Sequence, residues 1–330
     1  MSKITNGFST RDFDSNIPLI IVNPVSAGGA TGDVWAKTAS DFAANFGAFS
    51  VEFTKSGGDG MKIALEQAKL GRKFIIACGG DGTINEVANG ILQSETNCEL
   101  GILPSGTGGD FRRTLSVPAN SIEAAKYLKN GATKMIDVGR AVFVNHEGET
   151  VSRYFLGIAS FGLSTKIIEK VKKDKPFDWL PFRKLSGQAG FAWSTLQTTL
   201  ALKTTKARIT IDENREKTLE TVNFCVANAR YFGGGMKIAP DAKLDDGLLD
   251  VVMFGDLSSA KILVNSYKLY QGTHLNVDNV HHTNAKRIEI KPVNDEIVPF
   301  ELDGELVGNL PLTIEIVPNA MQIRAHNPSK

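Results

Sequence analysis

The sequence feature that most constrains the fold is an apolar run that ends in a glycine-rich loop. Residues 74–78 are apolar without interruption, the loop 79–83 reads Gly-Gly-Asp-Gly-Thr, and apolar residues then recur at helical spacing over 84–91. A strand that is apolar on both faces is typical of a parallel sheet covered by helices. A buried strand that leads through glycines into a helix directs backbone N–H groups and the positive end of the helix dipole towards one point, which favours a phosphate ligand.

The same loop carries Asp81, whose negative charge would repel a phosphate. That conflict is relieved if Asp81 binds Mg²⁺, a water of its shell, or a neighbouring donor. An ordinary turn, in which Asp81 or Thr83 caps the following helix, is the alternative. Similar loops elsewhere in the chain favour the phosphate site.

Length, charge and cysteine content limit the possible classes of protein. The 330 residues suffice for two domains, and the net charge of +1 argues against a nucleic-acid partner. Cys78, Cys98 and Cys225 lie far apart, within or beside apolar runs, which indicates buried free thiols in a reducing cytoplasm. No apolar run reaches the ~18 residues of a membrane span, and residues 1–16 lack the apolar core of a secretory signal. We therefore predict a cytoplasmic protein without a transmembrane segment.

Strands and helices alternate in the first half of the chain. The predicted strands cover about 18–22, 48–54, 74–78, 99–103 and 134–138, and the predicted helices about 31–46, 60–70, 84–91 and 121–129. This alternation predicts a parallel sheet with ligands at the carboxyl ends of its strands. Three glycine loops, 23–29, 79–83 and 104–109, lie at that edge and favour a nucleotide phosphate site, whereas the similar sequence at 57–60 is interpreted as a helix cap. Neither a P-loop nor a Rossmann fingerprint is present.

Strand runs separated by turns dominate the second half and predict an antiparallel β-rich domain. The predicted strands cover about 153–159, 206–212, 221–228, 248–254, 287–291, 298–302 and 313–317, and the helices about 164–172, 187–203 and 258–271. We divide the chain into a nucleotide-binding α/β domain, residues 1–140, and a β-sandwich domain, residues 141–317. The tail, about 318–330, is expected to pack back on the first domain.

A family resemblance is carried by the three loops. Residues 79–83 with Asn85 and Glu86, preceded by 23–26 and followed by 104–107, closely resemble the diacylglycerol kinase catalytic domain. The nearest match is the family of soluble bacterial lipid kinases, to which sphingosine and ceramide kinases are related, and it covers nearly the whole chain. NAD kinases and phosphofructokinases share the Gly-Gly-Asp-Gly element, so that element alone fixes only a superfamily.

The resemblance implies both a fold and an activity. The fold would be a three-layer α/β domain of the NAD-kinase and phosphofructokinase type, followed by a β-sandwich domain, with the active site in the cleft between them. The activity would be transfer of the γ-phosphate of ATP, with Mg²⁺, to the hydroxyl of a diacylglycerol-like lipid, giving a phosphatidic-acid-like product for phospholipid synthesis. Three alternatives stay open: an NAD kinase, a sphingosine- or ceramide-type kinase, and an inactive nucleotide- and lipid-binding regulator.

The resemblance also implies the site residues. ATP would be bound by Asn23, Pro24, Val25, Ser26, Ala27, Thr54, Gly79, Gly80, Asp81, Gly82, Thr83, Ile84, Asn85, Glu86, Thr107 and Asp110. Mg²⁺ would be held by the Asp246 carboxylate and the carbonyls of Lys243 and Leu248. Glu305 would accept the hydroxyl proton, and Asp81 would organise Mg²⁺ or its waters. Asp110 and Asp137 would link the nucleotide site to the metal loop through water.

Two acidic blocks in the second half leave structural alternatives open. Crowded carboxylates within residues 233–250 fit either a hairpin turn or a cation held by carboxylate and backbone oxygens. Residues 300–305 fit either an exposed acidic turn or a carboxylate placed to accept a proton. Asp303 and Glu305 would share one face of an extended strand, and a turn at Gly304 would separate them. Gly109 departs from the family, which usually has asparagine there.

Residues 170–184 combine six cations, three aromatic residues and two prolines. They fit either a solvated helix end with its loop or a segment that docks on an anionic membrane surface. We hypothesise that they bring the lipid hydroxyl to Glu305 through peripheral membrane contact. The sequence leaves open whether the protein is a homodimer.

Overall fold

The computed structural model describes residues 15–105, 109–145, 147–173, 203–294 and 296–326. Its first half contains β1 (Leu19–Val22), α1 (Ala30–Asn45), β2 (Ser50–Phe53), α2 (Asp59–Lys69), β3 (Phe74–Gly79), α3 (Asp81–Ser94), β4 (Glu99–Pro104), α4 (Asp110–Thr114), α5 (Ser121–Asn130) and β5 (Ala132–Val144). Its second half contains β6 (Thr150–Phe155), β7 (Ile158–Gly162), α6 (Leu163–Lys173), β8 (Thr205–Ile211), β9 (Lys217–Thr221), β10 (Asn223–Ala227), β11 (Leu249–Phe254), α7 (Ser259–Gln271), β12 (Val280–Ala285), β13 (Arg287–Pro292), β14 (Pro299–Leu302), β15 (Glu305–Asn309) and β16 (Leu312–Ala325).

The predicted parallel sheet is confirmed in the first half. Strands β2, β1, β3 and β4 lie side by side in that order, and each neighbouring pair is parallel. Every residue of β3 is buried. Alternate residues of this strand contribute to two different apolar clusters, with Ile75 in one and Ile76 in the other. Because β1, β3 and β4 are parallel, the loops that follow them lie at one edge of the sheet.

The last strand of the chain differs from the prediction. A strand was expected only at about 313–317, but β16 continues to Ala325 through an irregularity between Val317 and Met321. Pro318 and Asn319 interrupt the apolar alternation there, which hid the continuation. β16 pairs antiparallel with β5 and β13, and its residue Ile323 pairs with Leu100 of β4. The strand predicted near 134–138 is β5, which is longer than expected and runs antiparallel to β16.

The second half forms the predicted β-sandwich. Strands β12, β11, β10, β7, β14 and β15 form an antiparallel sheet. Its inner face packs on strands β5, β8, β13 and β16 through a shared apolar cluster that includes Phe161, Phe300 and Ile288. No helix in the described part of the chain is both long and apolar enough to cross a membrane.

The single strand predicted at 153–159 is wrong, because the structure divides it. β6 ends at Phe155 and pairs with β5, whereas β7 begins at Ile158 and belongs to the second sheet. Leu156 and Gly157 connect the two sheets, and both are apolar or small, so composition gave no sign of the break. The helix predicted at 187–203 lies outside the described residues except for its last position.

Candidate active site

The first and central glycine loops contact each other through Thr83. The Thr83 hydroxyl accepts a hydrogen bond from Asn23 Nδ2 at 3.1 Å and lies 3.4 Å from Ser26 Oγ. A side chain at Gly79 would place its Cβ 2.5 Å from Thr83 Oγ1, so this close approach requires glycine. The prediction that these loops meet at one edge is therefore confirmed.

The remaining residues predicted on the first loop differ in exposure. The Val25 side chain is 74% exposed, and its backbone N–H donates to Asn23 Oδ1. The Pro24 carbonyl accepts from the N–H of Gly32 in α1. Ala27 has a positive φ of 55°, which is unusual for a residue other than glycine. Thr54 follows β2 and is buried, with its N–H bound to the Val22 carbonyl.

Asp81 joins the central loop to the third loop. One of its carboxylate oxygens accepts from the N–H groups of Gly109 and Asp110, both at 3.0 Å, and the other accepts from Phe111 at 3.1 Å. These amides form the first turn of α4, where backbone donors lack partners within the helix. The negative charge of Asp81 could be accommodated by Mg²⁺, by a water of its shell or by a neighbouring donor. The structure shows neighbouring donors, which are these three amides. Thr107 lies outside the described residues.

Three predicted nucleotide-binding side chains are engaged inside the protein. Ile84 is 2% exposed and belongs to the core. Glu86 accepts from the N–H groups of Gly58 and Gly60 at 2.8 and 3.0 Å, so it caps the start of α2. Asn85 is directed towards the second half of the chain. Their contacts with a nucleotide stay predictions.

Two asparagines on α3 connect it to the second half. Asn85 Nδ2 donates to Asp303 Oδ2 at 2.7 Å. Asn89 bonds both polar backbone atoms of Tyr154, donating to its carbonyl at 2.9 Å and accepting from its N–H at 3.0 Å. Sequence reasoning missed Asn89 and Tyr154. The available signal was a pair of asparagines four residues apart on an otherwise apolar helix face, since buried amides require partners.

Asp303 and Gly304 form the turn between β14 and β15, with positive φ values of 48° and 85°. Two successive positive φ angles are typical of tight hairpin turns with an Asp-Gly sequence. The Asp303 carboxylate accepts from the N–H groups of Leu156, Gly157 and Ile158 at 2.8–2.9 Å. Burial raises the pKa of Asp303. The turn thus separates the two carboxylates, and Asp303 is a partly buried anchor.

Glu305 lies beside the central loop. A Cβ placed on Gly82 would be 3.7 Å from Glu305 Oε1, while Glu305 Oε2 lies 2.5 Å from Arg153 Nη2. The Glu305 side chain is 42% exposed. A carboxylate from the C-terminal sandwich therefore reaches the glycine loop of the α/β half.

The buried carboxylate of Glu301 supports the same turn. Glu301 is 3% exposed, and its Oε2 accepts from the Gly304 N–H at 2.7 Å. Its other oxygen accepts a hydrogen bond from the Ser160 hydroxyl. Burial raises the pKa of Glu301 to about 7. Sequence reasoning assigned no role to this residue, which alternates with Phe300 and Leu302 in an otherwise apolar strand.

The carboxylates of Asp137 and Asp110 accept hydrogen bonds directly from the segment 233–250, which contains the predicted metal loop. The Asp137 carboxylate accepts from the N–H groups of Gly247 and Asn319, both at 2.7 Å. Asp110 accepts from the Gly234 N–H at 2.8 Å and pairs with Arg113 at 2.7 Å. Burial raises the pKa of Asp110. The predicted links between the two halves thus include direct hydrogen bonds.

The predicted metal loop offers oxygen ligands. Asp246 is exposed, and its Oδ1 accepts from the Leu248 N–H at 3.1 Å. Burial, and to a smaller extent the charge of Asp246, raises the pKa of nearby Asp250. The described residues contain no cluster of three metal-ligating side chains, but the predicted set uses one carboxylate with the Lys243 and Leu248 carbonyls. Such oxygen donors fit Mg²⁺.

The basic and aromatic segment 170–184 lies mostly outside the described residues. Lys170 is part of α6, which continues to Lys173. The membrane-docking hypothesis for this segment therefore stays a prediction.

Two family models match the chain in succession. Residues 18–141 match the diacylglycerol kinase catalytic domain, and residues 172–325 match the YegS C-terminal NAD kinase beta sandwich-like domain. A diacylglycerol kinase of Bacillus subtilis (strain 168) is 31% identical over 263 residues, covering 79% of this chain and 80% of that protein. A diacylglycerol kinase of Staphylococcus saprophyticus is 28% identical over 258 residues, covering 78% of each protein. A crystal structure of a diacylglycerol kinase from Bacillus anthracis str. Sterne is similar with a TM-score of 0.70 at 30% identity, covering 95% of this chain and 98% of that chain.

Proposed function

The chain belongs to the diacylglycerol kinase family, and from that premise we propose that it transfers the γ-phosphate of ATP to the hydroxyl of a diacylglycerol-like lipid. The product would be a lipid phosphate monoester related to phosphatidic acid. The family supports a kinase, and the names of the relatives favour diacylglycerol as the acceptor.

The position of Glu305 beside Gly82 is the observation that carries the proposal. Phosphoryl transfer to an alcohol needs a base near the hydroxyl and a cradle of donors around the phosphate. The carboxylate and the loop come from different halves of the chain, and they lie next to each other. A side chain that is 42% exposed remains accessible to an incoming hydroxyl.

At phosphorus, the proposed reaction forms one bond and breaks one, and a proton is transferred as well. The lipid hydroxyl oxygen bonds to the γ-phosphorus, the bond from that phosphorus to the β–γ bridging oxygen breaks, and the hydroxyl proton passes to Glu305. Backbone N–H groups of the glycine loops would hold the phosphates. Asp81 would act by fixing the third loop through its three amide contacts.

The oxygen ligands of Asp246, Lys243 and Leu248 would hold Mg²⁺. When bound, the cation would neutralise part of the charge of the triphosphate. Asp137 fixes the position of the predicted metal loop. Its carboxylate accepts from the Gly247 N–H, and its own N–H donates to the Leu244 carbonyl at 2.6 Å.

A direct assay of acceptors tests the proposal. Purified protein is incubated with labelled ATP, Mg²⁺ and, separately, diacylglycerol, ceramide, sphingosine and NAD. The lipids are presented in mixed micelles and in anionic vesicles, and labelled products are separated and counted. We expect transfer to diacylglycerol, and we expect Glu305→Gln to reduce it by roughly 10²–10⁴-fold.

Glu315→Gln is the matched control, because Glu315 also pairs with an arginine but lies on β16. Transfer to NAD alone, or to a sphingoid lipid alone, would replace the proposed acceptor. Binding of ATP and lipid without any transfer would favour a regulatory protein.

A further inference from the structure

Arg153 is a charged residue beside Glu305 that the proposed mechanism does not yet use. It lies on β6, and its Nη2 donates to Glu305 Oε2 at 2.5 Å and to Asn85 Oδ1 at 3.3 Å. Its side chain is 29% exposed, so it is partly accessible and does not lie in the core. It therefore contacts both the proposed base and the helix that follows the glycine loop.

The guanidinium of Arg153 retains unused donors. Both hydrogen bonds that it makes with the described residues use Nη2. A guanidinium carries five N–H donors in a fixed fork, and this geometry suits the oxygens of a phosphate. The Nε–H and the two N–H groups of Nη1 are thus available to an anionic ligand, and release of Glu305 from Nη2 would complete a two-donor edge.

The location of Glu305 determines which ligand could reach those donors. A hydroxyl that gives its proton to Glu305 must lie within hydrogen-bond distance of this carboxylate. The phosphorus becomes bonded to that same oxygen. The transferred group must therefore pass close to a guanidinium that is already paired with Glu305.

The charges of Glu305 and of the phosphate change during transfer, and this change favours an exchange of the hydrogen-bond partner of Arg153. Before transfer, Glu305 is negative and attracts Arg153. After transfer, Glu305 has gained the hydroxyl proton and is neutral, while the new phosphate monoester beside it is anionic. Asn85 keeps Arg153 in place during this change, because the Asn85 amide is itself fixed by Asp303.

We propose that Arg153 is a second catalytic residue, whose guanidinium exchanges Glu305 for the anionic oxygens of the transferred phosphoryl group and then binds the lipid phosphate product. This inference rests on the proposed function, since it assumes that Glu305 receives a proton from an acceptor hydroxyl. It adds a phosphate contact that comes from a side chain of the C-terminal half, in addition to the glycine loops.

The test compares Arg153→Gln and Arg153→Lys with Arg140→Gln. Arg140 is a suitable control because it also pairs with a glutamate, Glu315, with a separation of 2.8 Å between Nε and Oε1. Arg140 lies opposite Tyr154 in the β5–β6 pair, so it projects to the other face of the sheet from Arg153. Thermal unfolding of each variant shows whether it folds.

The first measurement is binding without nucleotide or metal. Calorimetry is performed with dioctanoylglycerol 3-phosphate and with neutral dioctanoylglycerol. We expect Arg153→Gln to weaken binding of the phosphate by roughly tenfold or more, because a charged hydrogen bond is lost. Binding of the neutral lipid should be unchanged, and Arg153→Lys should lie between Arg153→Gln and the wild type. Arg140→Gln should bind both lipids as the wild type does.

The second measurement is steady-state kinetics. We expect kcat of Arg153→Gln to fall by roughly 10²-fold, with KM for ATP changed by less than about threefold, because the lost contact forms mainly during transfer. Arg153→Lys should recover part of the rate, since it retains the charge but lacks the fork. If Arg153→Gln does not fold, the comparison of Arg153→Lys with Arg140→Gln in both measurements decides.

The outcomes separate this inference from the proposed function. If the wild type phosphorylates lipid and the Arg153 variants match Arg140→Gln, the function stands and the inference is wrong. If lipid phosphate binding depends on Arg153 but no lipid is phosphorylated, the phosphate contact stands and the proposed function is wrong. If the wild type binds no lipid phosphate and transfers none, both are wrong.

Discussion

Gly82 and Glu305 are neighbours in the structure, although they come from the α/β half and the β-sandwich half of the chain. A Cβ on Gly82 would lie 3.7 Å from Glu305 Oε1, which is an ordinary contact distance. This proximity depends on the Asp303–Gly304 turn, because Asp303 is fixed by the amides of residues 156–158 and by Asn85. Glu305 and the glycine loop are therefore positioned by one hydrogen-bond network.

Changing Gly82 to Ala should preserve the fold and reduce activity. The new methyl group would meet only Glu305 within 4 Å, and alanine stabilises a helix by up to about 1 kcal/mol relative to glycine. We expect an unchanged or raised melting temperature and a kcat lower by roughly tenfold or more, because the methyl group occupies space between base and loop. Gly57→Ala is the control, since its Cβ would meet nothing within 4 Å. Equal rates for Gly82→Ala and the wild type would show that the transferred group does not use this space.

Changing Asp81 to Asn should impair activity more than stability. The amide nitrogen of asparagine cannot accept a hydrogen bond, so at least one of the three N–H donors of residues 109–111 loses its partner. The third loop would then be less well positioned, and we expect kcat/KM for ATP to fall by roughly tenfold or more.

Asp59→Asn is a close control for Asp81→Asn. Asp59 occupies the same place in the second Gly-Gly-Asp-Gly sequence, and it accepts from the N–H groups of Lys55 and Ser56. Its loop has no assigned part in phosphate binding. A comparable loss of activity in both variants would indicate a general effect on the domain.

Changing Asp303 to Asn should destabilise the protein. The Asp303 carboxylate accepts four hydrogen bonds, and an asparagine would direct an NH₂ group at some of the same donors. We expect a loss of at least about 2 kcal/mol in the free energy of unfolding, measured with urea. Asparagine tolerates the positive φ of this position, so backbone strain does not contribute.

Asp212→Asn controls for that substitution. Asp212 also has a positive φ of 50°, but it is exposed and accepts only from the N–H groups of Lys286 and Arg287. Its replacement should cost less than about 1 kcal/mol. An equally small effect at Asp303 would mean that its network does not hold the turn.

Glu301 should make stability fall as pH rises towards neutrality. Its pKa is raised from 4.5 to about 7 in the folded protein, so between these values the folded state binds more protons than the unfolded state. Stability from this group is greatest below about pH 4.5 and decreases until about pH 7 is passed. A Glu301→Gln side chain stays neutral and retains an acceptor for the Gly304 N–H.

Urea unfolding of the wild type and Glu301→Gln at pH 5.5 and pH 8 tests this expectation. The wild type should lose about 2 kcal/mol relative to the variant between the two values. The other titrating groups are common to both proteins and cancel in the difference. A difference that is independent of pH would show that Glu301 does not change its protonation state in this range.

Much of the fold follows from local patterns. The bounds of β3 and β4 differ from the prediction by one residue, and α7 begins one residue later than expected. These elements have regular apolar spacing and clear ends. By contrast, the break at Leu156 and Gly157 and the continuation of β16 beyond Val317 depend on pairing with distant strands.

The residues of the candidate site likewise divide into those that the sequence predicted and those that depend on distant contacts. Glu305 and the glycine loops were predicted from motifs, whereas Arg153, Asn89 and Glu301 were missed. Arginine in a polar strand and asparagine in a helix have no distinctive spacing. Their importance arises from partners that can be distant in the chain, such as Glu305 for Arg153, which are 152 residues apart.

The sequence by itself determined a parallel sheet, its glycine loops and an acidic turn near the C-terminus, because apolar periodicity and glycine report the local backbone. Only the tertiary structure decided that the Asp303 carboxylate is bound by Asn85 while Glu305 faces the loop, and that Arg153 contacts both Glu305 and α3. The physical reason is that packing of the sandwich against the α/β half fixes which distant polar groups must pair once water is excluded.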